Sequence, residues 1–344
     1  CSLTVALLQR LLKSLWILEY EVLVMMAHVP VLFNEVMEYI KPSPGKLIVD
    51  GTLGRAGHTQ GFLERGAKVV GFDQDLAAIS SVAASFNLCK KNENPLIYQS
   101  ENLIIVHNNF TEMASSLSLL GIRKIDGVFF DLGVSSPQFD DAKRGFSYRL
   151  DAPLDMRMNQ KQGLSAWDIV NTYSEQELEK IIKDYGEERY YRRVATKIVN
   201  NRPIDTTLQL VEVIKKAMPR AAKEEQHPAK RTFQALRIAV NDELGSLKKG
   251  LNDAITFLQP QGRIGVIAFH SLEDRIVKEF FREQVDPCIC PKNLPVCICG
   301  KEATLKIVTK KPVKPQADEI DINRRAHSAC LRIAEKLVTK EVGK

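Results

Sequence analysis

Cysteine is scarce in this sequence, seven residues in 344, and Cys1, Cys89 and Cys330 stand alone in unrelated contexts. That density excludes a secreted disulfide scaffold and points to a reducing, cytoplasmic compartment. Long apolar runs are missing too. The longest uncharged one, residues 22–34, has 13 residues and contains His28 and Pro30. It falls short of the roughly 18 apolar residues that a membrane-spanning helix needs, so no membrane partner is expected. There is no Gly/Ser/Pro-rich or acidic low-complexity stretch and no internal repeat. With 44% apolar and 26% charged residues, this excludes a mainly disordered, collagenous or coiled-coil chain. At about 150 residues per domain, the length fits two domains, or one large domain with an insertion.

Charge is nearly balanced, with a net of +6, too little to imply a polyanionic partner by itself. Its distribution says more. Between Arg189 and Arg231 there are eleven Lys/Arg against four acids. Such a stretch fits either a phosphate backbone or an ordinary solvated helix face. Residues 1–25 are apolar but broken by Arg10, Lys13, Glu19 and Glu21, which spoils a signal peptide. Two readings fit them: an amphipathic helix laid on the body or a partner, or upstream codons joined to a natural start at Met25 or Met26. The second is favoured.

Short runs rich in Val, Ile and Phe recur at helix-length spacing: residues 46–50, 67–73, 103–107, 125–131 and 263–269, with two more at 305–309 and 329–334. Strand–helix alternation of this kind predicts a doubly wound parallel sheet, here of about seven strands. The alternation breaks twice. Residues 132–158 have neither helical nor strand period, and unpatterned loops of that length are usually functional. Residues 164–230 read as entirely helical, with Ser174-x-x-Glu177 as a capping box, and a long helix is expected from Thr232 towards Leu258. The division that follows is a sheet domain of 26–140 and 232–344, a helical insertion of 141–231 that recognises substrate, and 1–25 outside both.

Ligands of such sheets bind at the carboxyl ends of the strands, where strand order reverses. Asp50, Asp73, Asp131 and His270 all fall at such ends. Asp50 is followed by a G-x-x-G-x-x-G loop of Gly51, Gly54 and Gly57, and Asp73 is placed to accept from ribose hydroxyls. A carboxylate ahead of the loop repels a pyrophosphate but suits the cationic amino acid end of S-adenosylmethionine. Charge therefore favours the methyl donor over a nicotinamide dinucleotide.

Eight segments carry a resemblance: His28-Val-Pro-Val-Leu32, Asp50-Gly-Thr-Leu-Gly-Arg-Ala-Gly-His58, Asp131-Leu-Gly-Val-Ser-Ser-Pro-Gln138, Arg144-Gly-Phe-Ser147, Pro153-Leu-Asp-Met-Arg157, Tyr185-Gly-Glu-Glu188, Arg231-Thr-Phe-Gln-Ala-Leu-Arg237 and Phe269-His-Ser-Leu-Glu-Asp-Arg-Ile-Val277. Spanning residues 28 to about 335, the chain resembles the bacterial methyltransferases that modify the exocyclic N4 of a cytidine in the decoding region of small-subunit (16S) ribosomal RNA. The resemblance implies an α/β, Rossmann-like class I methyltransferase sheet with an all-helical insertion, S-adenosylmethionine as cofactor, and 16S rRNA within the small subunit as partner. It leaves the oligomeric state open, a dimer included.

Carried over onto matching positions, the family's cofactor residues are Ala56, Gly57, His58, Asp73, Phe110, Asp131 and Gln138. The family usually has glycine at position 56, and alanine is tolerated there if its φ stays negative. Asp131 is the best-placed acceptor for the target amino group and so the catalytic candidate. Asp131-Leu-Gly-Val134 stands where many amino-methylating enzymes carry a D/N-P-P-aromatic motif. For the substrate, Phe146 and Trp167 are stacking candidates, with core packing as the plainer reading. His270 and Arg275 are candidates for orienting the target and meeting phosphate, or else part of a capped turn. Asp140, Asp151 and Asp155 are placed to hold Arg144 or Arg157 in ion pairs.

Cys288-Ile-Cys290 and Cys297-Ile-Cys299 offer four thiolates for a zinc site. Structural zinc more often uses C-x2-C, and methyl transfer to nitrogen needs no metal, so the sequence favours a reduced, metal-free loop. Two other functions compete: methylation of DNA cytosine or a small molecule, and an RNA-binding assembly factor that holds the cofactor without turnover. A pure binder has no use for a carboxylate beside the methyl donor.

Overall fold

The computed structural model describes residues 30–135, 139, 141–219, 227–291 and 296–338. The strands are β1 Leu47–Asp50, β2 Lys68–Asp73, β3 Cys89–Glu93, β4 Leu96–Gln99, β5 Leu103–His107, β6 Ile125–Asp131, β7 Leu258–Ala268, β8 Leu305–Ile307 and β9 Cys330–Lys336. They form one sheet in the order β3-β4-β5-β2-β1-β6-β7-β9-β8. The five central strands, β5 to β7, are parallel, and the wings on both sides are antiparallel.

Seven of these nine strands are the apolar runs seen in the sequence. The other two, β3 and β4, form a hairpin added to β5. β3 reads Cys-Lys-Lys-Asn-Glu and is almost wholly exposed, so no burial pattern marks it. The helix expected from Thr232 to Leu258 is two, Lys230–Asn241 and Glu243–Phe257, broken at Asp242 with φ 44 and ψ 46. Aspartate tolerates this left-handed conformation better than most residues, and the apolar period on either side hides the break.

Period-two alternation sorts the central strands' side chains onto two faces. Ile48, Val69, Ile105 and Phe129 pack with the helices Phe33–Ile40, Gly57–Glu64 and Leu76–Ser85. Val49, Val70, Val106 and Phe130 pack on the other side with Met113–Leu119, Glu243–Phe257 and Ser271–Val285. A separate apolar cluster holds the helices Ala166–Thr172, Glu175–Gly186, Tyr191–Val199 and Thr207–Ala217, and takes in Phe233, Leu236 and Val240. The Ser174/Glu177 capping box forms as the sequence predicts.

The chain leaves β1 outward to β2 and later returns to β6 on β1's other side. Strand order therefore reverses at β1. Asp50, Asp73 and Asp131 end three adjacent strands at that point.

Candidate active site

Asp50 is 1% exposed. The Thr59 hydroxyl donates to its Oδ2 at 2.7 Å and the Thr52 N–H to its Oδ1 at 3.1 Å. Burial nevertheless pushes its pKa up to about 6. Asp73 accepts from the Gly54 and Asp75 N–H groups, both at 2.8 Å, and burial raises it likewise to about 6. Asp131 has the least support. Its backbone N–H donates to Thr52 Oγ1 at 2.6 Å, but its carboxyl Oδ1 is buried without a hydrogen-bond partner among the described residues. Burial first, then the charges of Asp50 and Glu273, push its pKa up to about 8.

The turn between β1 and the helix Gly57–Glu64 departs from the sequence reading at Ala56. Its φ is 63, left-handed rather than negative, which costs a non-glycine residue roughly 1–2 kcal/mol. The Ala56 methyl is packed in the core below the turn, 1% exposed, and that burial offsets part of the strain. Two glycines of the loop have different reasons to be glycine. Gly54 has φ 51 and turns its N–H onto Asp73. Gly57 lies against Pro30, whose ring would be 2.5 Å from a Cβ there.

His58 is buried beneath the loop, its ring 4.6 Å from that of Phe129. Its Nε2 is 3.1 Å from the Val31 carbonyl. A carbonyl only accepts, so Nε2 carries the proton of the neutral ring, and burial pushes the pKa down to about 4. The lone pair on Nδ1 then faces Asp131 Oδ2 at 3.7 Å, too far for a hydrogen bond. A histidine held neutral gives Asp131 no charge.

Phe110 stands edge-on to Phe130, ring centres 5.2 Å apart. It also covers Gly250 of the helix Glu243–Phe257, where a Cβ would come within 2.7 Å of the ring. Sequence reasoning misses Gly250, because nothing local marks a helical glycine as a seat for an aromatic ring 140 residues earlier in the chain. It misses Thr52 and Thr59 as well, whose hydroxyls hold the Asp131 backbone and the Asp50 carboxyl.

The expected substrate residues separate. Phe146 is 4% exposed inside the helical cluster, so it is a core residue and not a stacking surface. Trp167 is 40% exposed, with its indole N–H donating to Asp205 at 2.9 Å. His270 caps the helix Ser271–Val285 in a box with Glu273. Burial raises the Glu273 pKa, but His270, Arg237 and the Phe269 N–H together hold it below the ordinary value. Arg275 is not free for phosphate: it pairs at 2.9 Å with Glu187, which also accepts from the Ser271 hydroxyl. Of the predicted ion pairs, Asp155 holds Arg157, whereas Arg144 reaches out of its loop to Asp75 at 2.8 Å. Gln138 and Asp140 lie outside the described residues.

Three of the eight segments that carry the resemblance meet in this region. Gly186 lies against the backbone of Arg231, Arg231 donates to the Glu187 carbonyl at 2.6 Å, and Glu187 receives Ser271 and Arg275. The model of the MraW methylase family matches residues 25–337. The chain belongs to that family. Among similar proteins, the ribosomal RNA small subunit methyltransferase H of Carboxydothermus hydrogenoformans is 50% identical, over 90% of this chain and 98% of that one. The protein of the same name from Halothermothrix orenii is 49% identical, over 91% and 100%. That from Clostridioides difficile is 50% identical, over 90% and 99%.

As an MraW methylase, the chain takes its methyl group from S-adenosylmethionine. The site fits that cofactor. Asp131 Oδ1 is a buried acceptor that no group among the described residues satisfies. Three carboxyls with raised pKa values crowd one crevice, and a cationic ligand relieves all three.

Proposed function

We propose that the chain methylates the exocyclic N4 of a cytidine in the decoding region of 16S ribosomal RNA, within the small subunit, in the cytoplasm. The carrying observation is Asp131 at the end of β6, a carboxyl with one oxygen unpartnered beside a crevice suited to a cation. We assign the loop Ala56, Gly57 and His58 to the amino acid end of the cofactor. Asp73 takes the ribose hydroxyls with the lone pairs its two N–H bonds leave over, and Phe110 flanks the adenine. Gln138 completes the set proposed from the family resemblance.

When bound, S-adenosylmethionine supplies an electrophilic methyl on a positively charged sulfur. The target nitrogen's lone pair is delocalised into the cytosine ring, so alignment alone does not make it a nucleophile. Asp131 accepts a hydrogen bond from the amino group and turns that lone pair out of the ring plane. The positive charge of the cofactor favours the ionised carboxylate before transfer. As charge moves onto the nitrogen, Asp131 is placed to take the proton released there. Thr52 and His58 hold the carboxyl's position, the first through the backbone and the second by packing.

The helical region 141–231 supports RNA as the partner. Arg189, Arg192, Arg193 and Lys197 are exposed on and beside the helix Tyr191–Val199. The Arg189 guanidinium lies over Tyr190 and that of Arg192 over Tyr191, at 5.8 and 5.6 Å. Cations backed by aromatic rings suit phosphate and base faces alike. The basic stretch is less free than its composition suggests. Arg202 donates to the Val170 and Tyr173 carbonyls, and Lys215 pairs with Glu212.

The test is transfer of labelled methyl from S-adenosylmethionine to unmodified small subunits, naked 16S rRNA and DNA, each then digested to nucleosides. Label in N4-methylcytidine from small subunits is expected. Label in DNA, or none in any pool while cofactor still binds, would overturn the proposal in favour of the two competing functions.

A further inference from the structure

Between the helix Ser271–Val285 and β8 the chain makes an excursion away from the sheet. Its base is pinched shut: the Thr304 N–H donates to the Gln284 carbonyl at 2.9 Å, and the Thr304 hydroxyl to the Gln284 side chain at 2.6 Å. Above that pinch no apolar core forms among the described residues. Ile289, Val296 and Ile298 are 70, 69 and 78% exposed, so side-chain packing does not hold this lobe. The four cysteine sulfurs cluster instead.

The Sγ atoms of Cys288 and Cys297 are 3.5 Å apart, Cys297 and Cys299 3.5 Å, Cys290 and Cys297 3.8 Å, and Cys288 and Cys299 4.0 Å. All four lie within 4.8 Å of one another. A tetrahedral zinc with Zn–S bonds of about 2.3 Å has sulfur–sulfur edges of about 3.8 Å. Disulfides do not account for the spacing, since an S–S bond is about 2.05 Å long. The Ile298 backbone N–H donates to Cys290 Sγ at 3.4 Å. Such a donor stabilises a metal-bound thiolate and fixes its orientation.

We infer that Cys288, Cys290, Cys297 and Cys299 bind one zinc ion that serves as the core of this lobe. Four thiolates select a soft or borderline cation over magnesium or calcium, and a closed tetrahedral set with no open position is structural rather than catalytic. The sequence preference for a metal-free loop rests on the rarity of C-x-C spacing and on a reaction that needs no metal, and the second ground does not bear on a structural ion. Two such units facing each other across Pro291 and Val296 make up the full set.

The test is metal analysis of the full-length protein purified without chelator, alongside the double variant Cys297→Ser/Cys299→Ser. About one zinc per wild-type chain is expected, and less than about 0.2 in the variant. Cobalt substituted for zinc should show the intense thiolate-to-metal charge-transfer absorption of a sulfur-ligated tetrahedral ion. Chelation should open residues 286–303 to protease while methyl transfer continues. If the variant fails to fold, titration of the wild type with a mercurial decides instead, with zinc release expected to track the modification of four thiols. Four free thiols with no metal, one iron per chain in place of zinc, or zinc retained by the variant would each overturn the inference.

Discussion

Two groups of acids in this chain have opposite electrostatics. Away from the crevice, four buried or half-buried acids each have an arginine: Asp75 with Arg144, Glu243 with Arg237, Glu335 with Arg263 and Asp274 with Arg332. Asp274 and Glu335 are accordingly held below the ordinary carboxylate range, the first mainly by Arg332 and the second by Lys306 and Arg263 against the opposing effect of burial. At the carboxyl ends of β1, β2 and β6, Asp50, Asp73 and Asp131 have hydroxyl and N–H donors but, among the described residues, no cation. Their pKa values rise to about 6, 6 and 8. The fold supplies a positive charge to each of those four acids and withholds it where three strands end. The crevice is thus prepared for a ligand that carries the charge itself.

The contrast breaks most sharply if Asp131 is not needed. Asp131→Ala should lower single-turnover methyl transfer by about a thousandfold, within the range for losing a positioned acid or base. Cofactor affinity measured by calorimetry should stay within about tenfold, because Asp50, Asp73 and the loop still hold the cofactor. Transfer surviving within severalfold would remove its assigned role.

The paired acids are tested by deleting a cation. Arg144 is 7% exposed and, besides Asp75, donates to the Arg157 and Met158 carbonyls at 2.9 Å. Arg144→Met takes the cation from buried Asp75 and a charged donor from two carbonyls, so unfolding free energy should drop by about 3–5 kcal/mol. Adding Asp75→Asn should recover part of that loss, since it removes the uncompensated charge. A single-variant loss under about 1 kcal/mol would mean that Asp75 does not depend on Arg144.

Three acids closing apolar runs are visible in sequence, because a charge after a buried β-branched stretch almost has to sit at a strand end. That is why Asp50, Asp73 and Asp131 can be read from the chain alone. Their neighbours cannot, since each contact joins distant elements: Val31 with His58, Phe110 with Gly250, Glu187 with Arg275. Arg144 illustrates the difficulty. Four acids share its loop in sequence, yet it pairs with an aspartate 69 residues earlier. Phe146 and Trp167 look equivalent as aromatic residues in a helical region, and only packing makes one core and the other exposed. The strands follow the same logic. Buried runs are readable, whereas β3 at the sheet's edge carries no apolar signal. Ala56 misleads for a subtler reason, as sequence shows which residue prefers a positive φ but not that a packed methyl compensates for the wrong one.

The smallest predicted effect is a slope, and it compares the two groups within one titration. Asp131 has a folded-state pKa of about 8, raised from 3.8. Between those values the folded chain keeps a proton that the unfolded chain has released. Stability of the cofactor-free protein should therefore fall as pH rises through this window and level off above about 8. Asp50 and Asp73 finish their share near pH 6, and buried neutral His58 adds a slope of opposite sign up to about its unfolded value of 6.5, so the share of Asp131 from 6 to 8 is the difference between the wild-type slope and that of Asp131→Asn. Cofactor binding has the opposite sign. A cation favours the ionised carboxyl, so affinity should rise with pH over the same interval, by at most tenfold per pH unit for one proton released. Asp274 and Glu335, held below the ordinary carboxylate range, contribute to neither slope. An affinity flat from pH 6 to 8 in the wild type, or a slope unchanged in Asp131→Asn, would show that the unpartnered oxygen does not meet the cofactor's charge.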